Sequence, residues 1–108
     1  MDKNKEKKIE KIFKLALENH QANNIKFAQN LYNKILEIDP THAATHYNLG
    51  VSFSQFGDLL KAKACYEETI KINPNYINAH YNLGSVFNQL GDLLKAKACY
   101  EETIKINP

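Results

Sequence analysis

The chain contains one 34-residue unit written twice in succession. Residues 41–74 and 75–108 are identical at 25 of 34 positions, and the segment GDLLKAKACYEETIKINP occurs unchanged at 57–74 and at 91–108. A period of this length indicates a repeat protein, in which each unit is one supersecondary motif that buries its apolar face only against neighbouring units. The repeat therefore restricts both the fold and the function.

A more divergent copy of the unit precedes these two. When residues 9–40 are placed in register with the later copies, a leucine, a small residue, an alanine, a tyrosine and a proline coincide in all three. The matched columns are Leu15, Leu49 and Leu83; Ala16, Gly50 and Gly84; Ala28, Ala62 and Ala96; Tyr32, Tyr66 and Tyr100; and Pro40, Pro74 and Pro108. Three units are close to the minimum for a stable stack.

Each unit is predicted to form two helices joined by a tight turn. Apolar residues recur at three- and four-residue steps on both sides of a Gly-Asp pair, which stands at 57–58 and at 91–92. The glycine can take positive φ and the aspartate can cap the next helix. Asn23 and Asn24 replace this pair in the first unit, and asparagine tolerates the left-handed region and caps helices as well.

These features resemble the tetratricopeptide repeat (TPR) family, whose 34-residue unit carries an aromatic, Leu-Gly, Ala, aromatic and Pro pattern. The resemblance covers residues 9–108 and implies an all-α fold, a right-handed α-solenoid of three helix-turn-helix units. TPR 1 would occupy 9–40, TPR 2 41–74 and TPR 3 75–108. Residues 1–8 would be a charged extension of the first helix, and no capping helix follows the third unit.

Charge and composition argue against several classes of partner. Residues 1–8 hold four of the 14 lysines, whereas residues 9–108 hold ten lysines and ten acidic residues and are formally neutral. Arginine, the usual side chain for bidentate contacts to phosphate or guanine, does not occur, so we expect no nucleic-acid binding. No apolar run approaches the ~18 residues of a membrane span and no signal-peptide core follows Met1, which predicts a cytoplasmic protein without membrane contact.

The residues that could carry chemistry have simpler interpretations. Cys65 and Cys99 occupy the same position in successive units, and helices stacked about 8–10 Å apart exceed the ~7 Å Cα separation of a disulfide, so we expect free thiols. His42 and His46 have the spacing of two metal ligands, but His46 recurs as His80 at a packing position, which leaves a fortuitous weak Ni or Zn site as the alternative. No catalytic triad, phosphate loop or CxxC occurs. We expect no enzyme activity, cofactor or functional metal.

The resemblance also implies where a ligand binds. In TPR stacks the first helices of successive units line a concave groove that holds an extended peptide or a partner helix. A protein-interaction scaffold with a polypeptide partner is therefore the leading functional hypothesis. By helical phase, the groove positions are Phe13, Lys14, Leu17, Gln21, Ala44, Tyr47, Asn48, Val51, Gln55, Asn78, Tyr81, Asn82, Ser85, Asn88 and Gln89.

Asn48 and Asn82 stand at the same position of successive units and would form a short ladder. An amide side chain can pair with a peptide backbone in both directions, which is similar to the superhelical TPR domain of O-GlcNAc transferase, where Asn residues hold the substrate backbone. Lys14 interrupts the ladder in the first unit, and the alternative is that Asn is a common polar residue here. The chaperone-binding carboxylate clamp is a poor match, because Phe13 and Leu17 stand where it needs Lys and Asn.

The last helix of the third unit would show its stacking face to water, because arrays of this kind normally end in a polar cap. We expect parts of Leu93, Tyr100, Ile104 and Ile106 to be exposed. The chain is then the N-terminal piece of a longer array, or its open end associates with another copy, head-to-tail or as a closed dimer. Two alternative functions follow, a self-assembly module and the substrate-recruiting N-terminal part of a larger transferase.

Overall fold

Six α-helices and no strands make up the structure, a computed structural model that describes all 108 residues. Each helix packs chiefly against its neighbour in the chain, so the helices form three pairs, and the pairs stack through α2 on α3 and α4 on α5. The result is an all-α solenoid of helical hairpins, as predicted, measuring 43 × 27 × 21 Å. The helices are α1 (Lys3–Gln21), α2 (Ile25–Ile38), α3 (Ala43–Gln55), α4 (Leu59–Ile72), α5 (Ile77–Gln89) and α6 (Leu93–Ile106).

The turns inside the second and third pairs have the predicted geometry. Gly57 and Gly91 take φ values of 75° and 83°, which glycine adopts without a steric penalty. Asp58 and Asp92 follow them, and each carboxylate accepts a hydrogen bond from the backbone N–H three residues further on. A left-handed residue and an N-cap thus reverse the chain between the two helices of a pair.

The prediction for the turn of the first pair was a left-handed Asn23 and a capping Asn24, and only the first is confirmed. Asn23 takes φ of 68°, so it does replace the glycine. Asn24 precedes α2 without capping it, because its Oδ1 accepts no backbone N–H and its amide is turned towards α1, where Nδ2 donates to Oδ1 of Asn19 at 3.2 Å. The prediction that Asn24 caps α2 is therefore wrong, and the reason is a competing partner on α1 that the later units lack.

The mid-helix glycines admit a tyrosine ring from the paired helix. A Cβ atom on Gly50 would lie 2.6 Å from Cε1 of Tyr66, and one on Gly84 would lie 2.7 Å from Cε1 of Tyr100. Both separations are far below van der Waals contact. This close approach explains why glycine occupies a position where it costs roughly 1 kcal/mol relative to alanine.

The core is divided into two clusters of buried residues, one for each junction between helix pairs. Each junction therefore contributes its own packing energy, as expected for a repeat protein. The first cluster consists of Ala16, Ala28, Leu31, Tyr32 and Leu49. The second consists of Ala62, Tyr66, Leu83, Val86, Phe87 and Ala96.

None of the helices combines the length and the apolar character that crossing a bilayer would require.

Candidate binding groove

One side of the solenoid is formed by α1, α3 and α5, the first helices of the three pairs. A cavity of about 370 Å³ lies between α1 and α3, and one of about 250 Å³ lies between α3 and α5. Gln55 lines both cavities, so they adjoin at this residue, and the two cavities together are called the groove here. The first cavity is lined by Leu17, His20, Gln21, Asn23, Asn48 and Gln55. The second is lined by Val51, Ser54, Gln55, Tyr66, Asn82, Ser85, Val86 and Gln89.

The structure brings about half of the residues expected from helical phase into this groove. They are Leu17, Gln21, Asn48, Val51, Gln55, Asn82, Ser85 and Gln89. Seven others lie outside the two cavities: Phe13, Lys14, Ala44, Tyr47, Asn78, Tyr81 and Asn88. Five further residues line the cavities and were not expected from helical phase: His20, Asn23, Ser54, Tyr66 and Val86. His20 lies three residues after Leu17 on α1, so the same helical phase could have included it.

Phe13 and Tyr47 are held in aromatic packing beside the groove. The ring of Phe13 meets that of His42 edge-on, with centroids 5.4 Å apart. The ring of Tyr47 lies 5.1 Å from that of Tyr76 and 5.8 Å from that of Tyr66. Such contacts stabilise the helix junctions in addition to the area that they bury. Substituting either residue would therefore disturb the stack as well as any ligand contact.

The two asparagines of the expected ladder each already use one N–H. Nδ2 of Asn48 donates to the backbone oxygen of Ala44 at 2.9 Å, within its own helix. Nδ2 of Asn82 donates to Oη of Tyr47 at 3.0 Å, across the junction between α3 and α5. A primary amide has two N–H groups and one carbonyl oxygen, so each side chain retains one donor and its acceptor.

A chain of hydrogen bonds through His20 joins the first two helix pairs. Nδ1 of His20 lies 3.0 Å from Oη of Tyr32, and Nε2 lies 2.8 Å from Oε1 of Gln55. A carbonyl oxygen only accepts, so Nε2 carries a proton, and in the neutral imidazole Nδ1 accepts from the tyrosine. Burial raises the pKa of Tyr32 to about 12, so its hydroxyl stays protonated and can donate.

Neither cavity lining contains a lysine, an aspartate or a glutamate. Desolvation raises the pKa of Tyr66, so its hydroxyl is neutral at physiological pH. Of the groove positions expected from sequence, Lys14 alone is cationic, and it is exposed outside both cavities. The groove can therefore bind through neutral hydrogen bonds and small apolar contacts.

The cysteines and the two closely spaced histidines have structural partners. Both thiols are free, and burial raises the pKa of Cys65 to about 11, which keeps it in its unreactive protonated form. Burial also raises the pKa of Cys99. Nδ1 of His42 lies 2.7 Å from Oγ1 of Thr45, and Nε2 of His46 lies 2.8 Å from the backbone oxygen of Pro40. No three potential ligands meet at one point to hold a metal ion.

Comparison with known families identifies the repeat. Models described as TPR repeat or tetratricopeptide repeat match residues 31–64, 53–91 and 77–108, and together they span 31–108. The chain is a tetratricopeptide repeat protein.

Two solved structures support the assignment. The crystal structure of MamA matches with a TM-score of 0.87 and 29% identity, over 93% of this chain and 58% of the MamA chain. This chain thus spans little more than half the length of that one. The first TPR of Spaghetti (RPAP3), bound to the HSP90 peptide SRMEEVD, matches with a TM-score of 0.90 and 19% identity, over 94% of this chain and 81% of that one. At that identity the likeness shows the fold alone. No curated protein matches this chain.

Proposed function

We propose that this TPR protein is a protein-interaction module whose groove binds an extended polypeptide. The observation that supports the proposal is the neutral groove, in which two cavities share Gln55. Amide and hydroxyl groups on its walls offer both donors and acceptors, and Leu17, Val51 and Val86 add small apolar contacts. A domain of the same fold holds a peptide in the RPAP3 structure, which favours a polypeptide as the ligand class.

The lining favours an extended peptide over a helical one. A helix uses nearly all of its backbone N–H and C=O groups in internal hydrogen bonds, so it would leave few of them for the amide side chains of the groove. An extended segment leaves these groups free and rises about 3.3 Å per residue. Helices packed about 8–10 Å apart would then meet a new backbone amide at roughly every third residue. An extended peptide could therefore reach amides on more than one helix.

Asn48 and Asn82 are the proposed backbone contacts, each through its remaining N–H and its carbonyl oxygen. Replacing both with alanine should weaken peptide binding by about 2 kcal/mol, or roughly thirtyfold, because a hydrogen bond contributes about 1 kcal/mol net. We would measure this by fluorescence anisotropy, using peptides selected from a random phage-displayed library.

Two variants serve as controls for this experiment. Tyr47→Phe removes the internal hydrogen bond of Asn82 without removing the amide, and Asn88→Ala deletes an exposed amide outside the cavities. Asn88→Ala should bind the selected peptides like the parent chain. Tyr47→Phe keeps the Asn82 amide but removes its anchor, so it should lower affinity less than the double variant does. If the double variant folds normally by circular dichroism and keeps full affinity, the asparagines are not the contacts.

We further propose that the chain functions by binding rather than catalysis, and that it resides in the cytoplasm. Two free cysteines whose pKa values are raised by burial suit a reducing compartment, where thiols persist without forming disulfides. The neutral groove supplies hydrogen bonds rather than an activated nucleophile.

Self-association through α6 is a second candidate function. Leu93 and Ile104 are 64% and 62% exposed, and Tyr100 and Ile106 are partly exposed beside them. Leu93, Tyr100 and Ile104 are the counterparts of Leu59, Tyr66 and Ile70 on α4, which belong to or pack against the core cluster shared with α5. Covering them would remove apolar area from water, which stabilises an association by about 25 cal/mol per Å².

A second copy would cover this surface with its own α6 rather than with α1. Continuing the solenoid head-to-tail would place Lys11 and Glu18 where the buried residues Ala79 and Val86 stand in the third pair. Burying two separated charges is strongly unfavourable. An antiparallel pair of α6 helices would instead bring the lysines near its start opposite Glu101 and Glu102, and would close as a dimer.

Light scattering over a wide concentration range tests this candidate. We expect the molar mass to rise from 12.4 kDa towards twice that value, and Ile104→Glu to abolish the rise by placing a charge in the interface. Leu60→Glu is the matched control, because Leu60 is 70% exposed on α4 outside the corresponding surface. A constant monomer mass at high concentration would exclude the dimer.

A further inference from the structure

The hydrogen-bond chain Tyr32–His20–Gln55 is separate from the proposed peptide contacts of Asn48 and Asn82. We propose that Gln55, held by His20, is the central hydrogen-bond donor of the groove, and that it binds a backbone carbonyl flanked by small uncharged side chains. This inference rests on the proposed function, because it names the part of the peptide that the groove recognises.

Gln55 is placed between the two cavities and is open to solvent. It ends α3, lines both cavities and is exposed. Its Oε1 accepts from Nε2 of His20 at 2.8 Å, which fixes the plane of the amide. No group of the protein accepts from Nε2 of Gln55, so both of its N–H groups are available to a ligand. Because the oxygen is held by His20, the side chain presents donors rather than an acceptor to the groove.

The hydrogen-bond chain is anchored in the core by Tyr32. The side chain of Tyr32 is fully buried in the cluster at the first junction. The Tyr32 hydroxyl and the His20 imidazole together connect that core to the exposed amide of Gln55, which is 35 residues from His20 in the sequence. A donor that is held before binding loses less conformational entropy when the ligand arrives. The arrangement therefore favours Gln55 over a mobile surface amide.

The next junction lacks this hydrogen-bond chain, which makes Gln55 on α3 and Gln89 on α5 unequal although they share a repeat position. Ser54 stands at the repeat position of His20, and its Oγ lies 3.3 Å from Oη of Tyr66. Serine is too short to continue to Gln89, which makes no hydrogen bond with the protein. Gln89 is thus free to rotate, whereas Gln55 is oriented. One ordered donor, at the first junction, would fix the register of a bound peptide.

The two cavities beside Gln55 determine which side chains flank the bound carbonyl. Their walls carry amides, hydroxyls and aliphatic groups without a lysine or a carboxylate. A charged side chain entering either one would lose hydration without gaining a counter-charge, which is costly. Serine, threonine, alanine and valine fit this environment, whereas an acidic segment does not.

Selection from a peptide library tests the ligand class. We would pan the full chain against phage-displayed random peptides about 12 residues long, which reach ~40 Å when extended. Uncharged residues should predominate at the centre of the enriched peptides. Enrichment of acidic segments would overturn the proposed chemistry. If no peptide is enriched at all, the proposed function itself fails.

Point variants test the donor with the selected peptides. Gln55→Met keeps the length of the side chain and removes both donors, so we expect affinity to fall about tenfold, the loss of one good hydrogen bond. His20→Ala should lower affinity by a smaller factor, because the donor remains but loses its orientation. His46→Ala is the matched histidine control, because His46 lines neither cavity and bonds the backbone oxygen of Pro40, so it should have no effect on affinity. Equal affinity of Gln55→Met and the parent chain would refute the donor.

Nuclear magnetic resonance of the free protein tests the orientation without any ligand. Imidazole ¹⁵N shifts should show the Nε2–H tautomer of His20, and Tyr32→Phe should weaken that preference. Relaxation of the Gln55 side-chain amide should show restricted motion that His20→Ala releases and His46→Ala does not. A Gln55 amide as mobile as that of Gln89 would refute the role of His20, whatever the outcome of peptide selection.

Discussion

Helices α4 and α6 have the same 14 residues, LLKAKACYEETIKI, and the same local structure. Each begins after a left-handed glycine and an aspartate cap. In each, a threonine hydroxyl donates to the backbone oxygen of the preceding cysteine, at 2.8 Å for Thr69 and 3.0 Å for Thr103. Helix formation here depends on the local sequence and its turn, because identical segments give identical helices at two places in the fold.

Their burial differs because only α4 is followed by another helix pair. Tyr66 is 1% exposed and Ile70 packs against the second core cluster. In α6, Tyr100 is partly exposed and Ile104 is 62% exposed. The same residues therefore contribute different packing energies, and α5 supplies the difference. This behaviour is what a nearest-neighbour description of repeat proteins requires.

A lysine at the same position of the two helices also changes its partner. Nζ of Lys63 lies 5.8 Å from the ring centroid of Phe87, which belongs to α5. Nζ of Lys97 instead lies 3.8 Å from a carboxylate oxygen of Glu101 in its own helix. The ion pair joins exposed groups and is worth at most about 1 kcal/mol, whereas Lys63 is partly buried against the buried ring of Phe87, where a cation–π contact is worth about 1–2 kcal/mol. Even a surface contact thus reports whether a further helix pair is present.

The largest expected difference between the two helices concerns their tyrosines. Tyr66→Ala should lower the free energy of unfolding by about 3–5 kcal/mol, the usual cost of deleting a fully buried aromatic ring. Tyr100→Ala should cost clearly less, because its ring is partly in water before the substitution. Urea unfolding followed by circular dichroism measures both values. Equal costs would mean that α5 does not determine the packing of α4.

Protein concentration sharpens this prediction. If α6 is covered by a second copy, the cost of Tyr100→Ala should increase with protein concentration, because dimer formation adds to the stability of the folded state. The cost of Tyr66→Ala should stay nearly constant, since its environment is intramolecular.

A smaller difference is expected for the glycines that contact these rings. An added Cβ meets Tyr66 in Gly50→Ala and Tyr100 in Gly84→Ala at nearly equal distances. The ring of Tyr66 is enclosed, so Gly50→Ala should destabilise by about 1–3 kcal/mol. Tyr100 has open space on one side and can move, so the gain in helix propensity of roughly 1 kcal/mol should leave Gly84→Ala close to neutral. Thermal unfolding of the two variants would measure this, and equal losses of stability would contradict it.

The repeat predicted the fold well because its signals are local. The 34-residue period, the helical spacing and the Gly-Asp turns specify two helices per unit without reference to the rest of the chain. The prediction for Asn24 was wrong because its amide meets Asn19, a contact that depends on the neighbouring helix. By local propensity the Asn24 side chain could cap α2 or bond another side chain, and the position of Asn19 on α1 selects the second.

The groove was predicted only in part. Helical phase predicted that Leu17, Asn48 and Gln55 share one side of the solenoid, and all three line the two cavities, because the side chains on one face of a helix are set by its period. It did not predict that Asn82 binds Tyr47, or that His20 reaches from Tyr32 to the next helix pair. These contacts join residues 12 to 35 positions apart, and their formation depends on the length of each side chain and the spacing of stacked helices.

The amino-acid sequence by itself determined the helices, their turns and the order of the three units, since backbone preferences act over a few residues. Only the tertiary structure decided which copy of an identical segment is buried, which tyrosine is partly exposed and which glutamine is hydrogen-bonded to His20. The reason is that burial and cross-helix hydrogen bonds are properties of neighbours in space. In a repeat protein, those neighbours differ even where the sequence does not.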